Sequence, residues 1–234
     1  MSEYRLSQPR QSTDALFNYL NEKLMNNPDK LSVNERCVAI DCEMVGVGYG
    51  GKASALARVS IVNYYGIKLM DKYVKPKRVI TDYRTLYSGI TPKHLENAYD
   101  FEEVKREVQE LLEGNLIVGQ SLGYDFCALE LERPDTMIRD TSCYYYLFGD
   151  KFGRRPLKKP SLKVLTREVL GLDIQQWTHD SIEDARACML LYRLKQDEWE
   201  TAIARGQKMP LDIGGCYVCS SLGHTKTYCP WRRL

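Results

Sequence analysis

The spacing of apolar residues divides the chain into segments with strand-like and helix-like periods. Three short apolar runs near the start are strand candidates: Cys37–Glu43, Arg58–Asn63 and Ile67–Val74. Only Tyr64-Tyr65-Gly66 separates the last two runs, which is short enough for a β-hairpin. The pattern therefore predicts three neighbouring strands before any long helix.

Helical spacing dominates the rest of the chain, interrupted by two short apolar runs. Helices are expected at Pro92–Asn97 and Phe101–Leu112, from near Tyr124, from a cap at Ser161 to Gly171, and from Ser181 to about Trp199. Further strands are expected at Leu116–Val118 and Thr136–Arg139. Strands followed by βα units predict an α/β fold with a mixed five-stranded sheet flanked by helices.

The pattern also divides the chain into parts. Residues 1–35 form an N-terminal helical extension, and residues 36–200 form the main domain. Residues 201–215 lose the periodicity and are interpreted as a linker, and 216–229 is a small separate module. The extension carries an apolar stripe at four-residue spacing, which is expected to pack on the main domain or, alternatively, on a partner. The stripe is Leu16, Leu20 and Leu24, in a helix opened by Ser12 or Thr13.

The composition says more about the cellular compartment of the protein than about its function. The chain has 234 residues, of which 44% are hydrophobic, enough for a packed core. The formal charge of +2 does not indicate a partner. Met1–Arg10 lacks the apolar region of a secretory signal, and no run is long enough for a membrane span. Despite 8 cysteines, the expectation is a reducing intracellular compartment and no membrane partner.

Two acidic residues lie at the end of the first strand candidate, in the run CVAIDCEMVG. Because alternate residues of a strand share a face, Asp41 and Glu43 point the same way and Cys42 points to the opposite side. Adjacent carboxylates repel each other and are destabilised by desolvation, and a bound cation removes that penalty. The pair indicates a metal site, or alternatively the solvated face of an edge strand.

A third acid interrupts the apolar side of the last predicted helix. At about 100° per residue, Asp184 falls beside Cys188 and Leu191, opposite the polar arc that contains Glu183 and Arg186. A buried carboxylate needs a partner, a proton or a metal ion. Asp184 is therefore a candidate metal ligand, with a buried pairing to arginine or to a backbone amide as the alternative.

Asp125 and His179 complete the set of candidates. Asp125 follows the strand and loop LIVGQSLGYD at a helix start, where an acid also serves as a simple cap. Open α/β sheets place their sites at this end of a strand. His179 precedes Asp184 by five residues, in the loop that enters the last helix. It is either a general base or a structural histidine.

These segments resemble the three motifs of the DEDDh exonucleases: DCEMVG, the Asp125 segment and HDSIEDA. ARVSIVN, TDYRTLYSGITPKHL and PSLKVLTREVLG are similar to the branch of RNA exonuclease 4 and the interferon-stimulated exonucleases. The resemblance runs from about Arg36 to Tyr192, with the motifs in the family's order. Gln120 and Gly123-Tyr124 depart from the His and His-Asn that are common in the family.

The resemblance implies a ribonuclease H-like fold with two Mg²⁺ or Mn²⁺ ions, and oxygen ligands suit such hard cations. The implied metal ligands are Asp41, Glu43, Asp125 and Asp184. His179 would deprotonate the attacking water, and a nucleoside 5′-monophosphate would leave. Met44, beside the acidic pair, would help to hold the terminal nucleotide. The main domain would then be the exonuclease domain.

The C-terminal module has the spacing C-x₂-C-x₄-H-x₄-C and resembles a CCHC zinc knuckle. One Zn²⁺ with four soft ligands would fold this otherwise coreless segment. The ligands would be Cys216, Cys219, His224 and Cys229. Knuckles commonly stack single-stranded bases on aromatic side chains, for which the candidates are Tyr217, Tyr228 and Trp231. A protein-binding knuckle is the alternative.

A basic run, KFGRRPLKK at residues 151–159, precedes the Ser161 helix. Arg154 and Arg155 are candidates for phosphate contacts. A solvated loop and a nuclear import signal are the alternatives.

The sequence predicts a metal-dependent 3′→5′ exoribonuclease that acts on single-stranded RNA. By the family resemblance alone, it would process ribosomal RNA in the nucleus, in particular the nucleolus. The alternatives are a DNA-directed 3′ exonuclease and an inactive nucleic-acid-binding protein, and the filled catalytic positions argue against the latter. Protein partners are not indicated.

Overall fold

A mixed β-sheet forms the centre of the computed structural model, which describes residues 13–25, 36–134, 137–144 and 160–205. The strands are β1 (Cys37–Val47), β2 (Ala53–Asn63), β3 (Lys68–Tyr73), β4 (Ile80–Asp82), β5 (Leu116–Gly119) and β6 (Ile138–Asp140). Their order is β3-β2-β1-β5-β6, and β4 pairs with the end of β1. β5 and β6 run parallel to β1, whereas β2 and β4 run antiparallel to it.

Helices cover the sheet. They are α1 (Thr13–Met25), α2 (Thr85–Ser88), α3 (Pro92–Leu95), α4 (Phe101–Leu112), α5 (Gly123–Ala128), α6 (Leu162–Leu165) and α7 (Ser181–Ala204). A 3₁₀ turn spans Tyr49–Gly51, and π-helical residues Thr166–Leu170 continue α6. As predicted, the Ser161 side chain caps α6 by accepting a hydrogen bond from the Val164 N–H, and the continued helix ends at Gly171 in the left-handed region. None of the described helices is long and apolar enough to cross a membrane.

β1 is buried on both faces, which decides where its acidic residues point. Ala39 packs in the cluster that contains the α7 residues Leu190 and Leu191. Ile40 and Cys42 pack in the cluster on the other side, with α4. Strand alternation then directs Asp41 and Glu43 towards the α7 side. The predicted opposite orientation of Cys42 is confirmed.

The predicted hairpin between β2 and β3 is confirmed. The Gly66 N–H donates to the Asn63 carbonyl at 2.9 Å, and Gly66 has φ 77°. A Cβ at this position would lie 2.9 Å from ring atoms of Phe17. Phe17 of α1 is itself buried in the α7 cluster, and Leu16 packs beside it. The N-terminal helix therefore packs on the main domain, as expected.

The sheet has six strands where the sequence predicted five. β4 was missed because its three residues show no alternation and it forms only by pairing with Gly46 and Val47 of β1. β2 begins at Ala53, earlier than predicted, because the same end of β1 supplies partners for it. The last helix continues to Ala204, so the first residues of the predicted linker are helical. Ala202 is buried there.

Candidate active site

Two carboxylates come from β1, at an irregularity in the sheet. Asp41 is half-buried and Glu43 is buried, and both lie on the α7 side. Between Glu43 and Met44 the register with β2 shifts, so that Glu43 pairs with Arg58 and Met44 pairs with Leu56. Such bulges redirect side chains and are common beside active sites. Met44 is half-buried against the α4-side cluster, immediately next to Glu43.

The third carboxylate, Asp184, lies in the first turn of α7 and is 1% exposed. The start of α7 is fixed by Asp180, which caps the helix by accepting from the Ile182 N–H at 3.0 Å, and by a 2.7 Å hydrogen bond between the Ser181 and Ser60 hydroxyls. Gln175 donates to Asp184 Oδ2 at 2.7 Å. Tertiary contacts with β2 and with the preceding loop thus hold this carboxylate in place.

The fourth carboxylate, Asp125, comes from α5 and is buried. It accepts a hydrogen bond from the Cys42 backbone N–H at 3.0 Å, so α5 is joined directly to the strand that carries Asp41 and Glu43. An acid at this helix start also serves as a cap, but this one bonds to another element.

Asp140, at the end of β6, was missed by the sequence reasoning. Its carboxylate accepts from the backbone N–H groups of Ser121, Leu122 and Ser142, each at 2.9 Å. It therefore fixes the loop that leads into α5 and Asp125. The available signal was its position at the carboxyl end of the strand parallel to β5.

His179 approaches the acids from the loop between α6 and α7. Its Nδ1 lies 3.7 Å from Asp184 Oδ2, beyond hydrogen-bonding distance, and its side chain is 39% exposed. Its backbone N–H donates to the Tyr87 carbonyl at 2.9 Å. Partial burial, and secondarily the charge of Lys163, lower its pKa. The imidazole is therefore neutral at neutral pH and able to accept a proton.

The buried acids are poorly compensated without a cation. Burial raises the pKa of Glu43 and of Asp125 to about 8 and that of Asp184 to about 7. The pKa of Asp41 is raised by burial and then by the charges of the other three carboxylates. Arg58 acts in the opposite direction on Glu43, but its guanidinium is already bonded to Asp71 at 2.8 Å.

The geometry fits a divalent metal ion. One ligand atom from each of Glu43, His179 and Asp184 lies within 4.8 Å of the others. Glu43 Oε1 and Asp184 Oδ1 are buried and have no hydrogen-bonding partner among the described residues. Each such acceptor costs about 1–3 kcal/mol or more. A cation between the carboxylates would remove this penalty and their mutual repulsion.

Gln120, where the sequence departs from the resembled family, accepts from the Thr141 hydroxyl and donates to the Pro160 carbonyl at 3.1 Å. The remaining predicted site residues lie outside the described residues: Arg154, Arg155, Cys216, Tyr217, Cys219, His224, Tyr228, Cys229 and Trp231. Their roles stay predictions.

Comparison with known proteins agrees with this geometry. Residues 38–192 match the Exonuclease (RNase_T) family model. RNA exonuclease 4 of Debaryomyces hansenii is 49% identical over 173 residues, which are 74% of this chain and 62% of that protein. The human RNA exonuclease 4 is 48% identical over 71% of this chain and 38% of its own length. The chain thus spans less than two thirds of these relatives.

Solved structures give the same assignment. The module of Saccharomyces cerevisiae Pan2 described as a pseudoubiquitin hydrolase–RNA exonuclease, in complex with AAUUAA RNA, superposes with a TM-score of 0.61 at 29% identity. That match covers 79% of this chain and 34% of the Pan2 chain. The Neurospora crassa Pan2 catalytic unit gives 0.60 at 30% identity over 74% of this chain and 28% of that one. The sheet, the converging carboxylates and these matches together show that the chain belongs to the Exonuclease (RNase_T) family, and membership of this family implies divalent metal ions at this site.

Proposed function

We propose that this chain is a metal-dependent 3′→5′ exoribonuclease of the DEDDh type. It would release nucleoside 5′-monophosphates from single-stranded RNA. The observation that carries this proposal is the convergence of buried acids with raised pKa values on His179, together with two carboxylate oxygens that have no hydrogen-bonding partner in the described part of the chain. A site that is so unfavourable without a cation is well suited to bind one.

Asp41, Glu43, Asp125 and Asp184 would hold two Mg²⁺ or Mn²⁺ ions. When bound, the ions would neutralise the charge that develops on the scissile phosphate and lower the pKa of the attacking water. His179, neutral because its pKa is lowered, accepts the proton of that water. Gln175 keeps the Asp184 carboxylate oriented, and Asp140 keeps Asp125 in place through the loop before α5.

RNA is the proposed substrate because similar proteins carry the name RNA exonuclease 4 and a similar structure contains RNA. Met44, at the bulge beside Glu43, would contact the terminal nucleotide. We extend the proposal to ribosomal RNA maturation in the nucleolus, which rests on the family resemblance. Further RNA contacts would come from the C-terminal module, which has the spacing of a zinc knuckle, and from Arg154 and Arg155.

The test incubates the purified protein with 5′-labelled single-stranded RNA and with DNA of matching sequence, in Mg²⁺, Mn²⁺ or chelator. The expected result is a ladder that shortens from the 3′ end of RNA only when metal is present. Asp184→Asn is nearly isosteric and should reduce turnover about a hundredfold to a thousandfold, because it removes a charged group that would stabilise the transition state through the metal ions. Full activity of this variant would contradict the site.

The substrate and activity alternatives give distinct results in the same assay. Faster digestion of DNA would identify a DNA-directed exonuclease. Binding without release of mononucleotides would identify an inactive nucleic-acid-binding protein.

A further inference from the structure

The five most exposed large hydrophobic side chains of the described residues come from segments that contact one another. Tyr49 is 92% exposed, Trp177 91%, Val79 and Leu86 82% each, and Tyr87 71%. These five, which we call the apolar band, come from three separate stretches of sequence. Single exposed hydrophobic residues need no explanation, but several on adjoining segments beside a functional site indicate an interaction surface.

Backbone and side-chain contacts join the stretches of the band. The Thr81 hydroxyl donates to the Gly48 carbonyl at 2.8 Å, and the Arg84 guanidinium donates to the Gly51 carbonyl at 2.8 Å. The turn that presents Tyr49 is therefore held against residues 79–88, which carry Val79, Leu86 and Tyr87. Arg84 keeps a left-handed backbone, φ 50°, at this junction.

The apolar band ends at the proposed general base. The Tyr87 carbonyl accepts the backbone N–H of His179 at 2.9 Å, and Trp177 lies two residues before His179. A Cβ on Gly89 would lie 3.4 Å from the His179 carbonyl, so the end of α2 and this loop are in direct contact. A chain bound along the band would therefore reach His179 and the four carboxylates.

The charge beside the apolar band favours a polyanion. Lys52 and Arg78 are exposed on the segments that carry Tyr49 and Val79, and neither forms an ion pair within the described part of the chain. Arg78 Nη2 lies 2.7 Å from the position of a Cβ on Gly48, so its guanidinium lies over the turn of Tyr49. Aromatic side chains interleaved with cations are the usual surface for single strands, because bases stack and phosphates pair.

We propose that the apolar band binds the single-stranded RNA on the 5′ side of the scissile linkage. Bases would stack on Trp177, Tyr87 and Tyr49, while Arg78 and Lys52 contact phosphates. The inference rests on the proposed exoribonuclease function and deepens it, since it makes substrate length a determinant of binding. A terminal dinucleotide would fill the carboxylate site without reaching Tyr49.

The test measures KM and kcat for a ten-nucleotide RNA and for a dinucleotide with Tyr49→Ser and Trp177→Ser. Each variant should raise KM for the longer RNA about tenfold, since one stacked base is lost, and should change kcat much less. For Tyr49→Ser the rise should disappear with the dinucleotide. Trp177→Phe, which retains an aromatic ring, should restore most of the affinity.

Ile67→Ser is the matched control, because Ile67 is 60% exposed but lies in the turn between β2 and β3, away from the apolar band. It should keep the wild-type KM, and all variants should keep the wild-type melting temperature. A fluorescence measurement is independent of turnover: RNA added to Asp184→Asn protein should quench the emission of Trp177. The quenching should be reduced in the Asp184→Asn, Trp177→Phe double variant.

Two failures are distinguishable. If the wild-type protein does not digest RNA, the proposed function fails. If it digests RNA and both serine variants keep the wild-type KM for the longer RNA, the inference fails, and the apolar band is then a surface for a protein partner.

Discussion

Asp184 and Asp140 show that one residue type serves two purposes in this site. Both are buried to about the same degree, with 1% of each residue exposed. Asp140 accepts three backbone N–H groups, so its charge is compensated by the fold. Within the described ranges, Asp184 has one side-chain donor, and its other carboxylate oxygen has no hydrogen-bonding partner. We interpret Asp140 as a positioning residue and Asp184 as the proposed metal ligand.

Asp140→Asn should therefore impair the protein in a different way from Asp184→Asn. The amide has only one acceptor oxygen, so part of the loop before α5 loses its hydrogen bonds. We expect about 2 kcal/mol of lost stability, typical of hydrogen bonds to a charged group, and a higher Mg²⁺ concentration for half-maximal activity. Thermal melting and a metal titration measure the two effects. The control is Glu113→Gln, because Glu113 is exposed at the end of α4. If Asp140→Asn needed the same Mg²⁺ concentration as the wild-type protein, the positioning role of Asp140 would be contradicted.

At the scale of elements, the loop between α6 and α7 carries His179, the proposed general base. Three hydrogen bonds hold it: Lys163 Nζ donates to the Gln175 carbonyl at 2.7 Å, Gln175 donates to Asp184, and His179 donates to Tyr87. The first ties the loop to α6, the second to α7 and the third to α2. His179 therefore depends on the two helices that flank its loop and on α2, which is distant in sequence.

Lys163→Met should move the pH profile of kcat/KM. Burial is the larger cause of the lowered His179 pKa and Lys163 the second, so removing the lysine raises that pKa. Because the base must be neutral, the acidic limb of the profile should shift to higher pH. The shift should be larger at low salt, since the Lys163 side chain is exposed and its charge is screened. Lys93→Met serves as the control, and coincident acidic limbs would exclude this role for Lys163.

At the scale of the whole molecule, the acids of the site link folding to pH. Their pKa values in the folded state are raised from 3.8 for Asp125 and Asp184 and 4.5 for Glu43 to between about 7 and about 8. The folded chain therefore binds protons more tightly than the unfolded chain does. The stabilisation of the folded state that results is complete below the pKa values of the unfolded chain and is lost as the pH rises through 7 and 8.

We expect the metal-free protein to melt at a lower temperature at pH 8.5 than at pH 6, and Mg²⁺ to restore stability mainly at the higher pH. Thermal melting in chelator and in Mg²⁺ at both pH values measures this. Asp184→Asn should flatten the pH dependence in chelator. A metal-free protein that is equally stable at both pH values would refute the linkage.

The C-terminal module gives a second prediction at this scale. Replacing Cys219 and His224 with Ser and Ala should remove one bound Zn²⁺ per chain, detectable by elemental analysis. Binding of long RNA should weaken in a salt-dependent way, while cleavage of very short substrates continues. Equal losses with long and short RNA would show that the module does not hold RNA.

Much of the fold was accessible from the sequence because the signals were local. α4 begins and ends where its apolar period predicted, and β1, β5 and the hairpin lie where alternation and turn residues placed them. β4 was not predicted because three residues are too few to show an alternating pattern. Asp140 was not predicted because an acidic residue at the end of a strand can serve several structural and functional roles. The exposed residues of the apolar band carry no periodic signal either.

The sequence by itself determined which residues are candidates for metal binding, because the strand period already places Asp41 and Glu43 on one face and the helix period places Asp184 on the apolar side of its helix. Only the tertiary structure decided that they meet Asp125 and His179 at one point, because the sheet order and the contacts of Cys42, Ser60 and Tyr87 join segments that are far apart in the chain. It also decided which carboxylate oxygens have no hydrogen-bonding partner among the residues that the structure describes, since that depends on every neighbour and not on the residue itself.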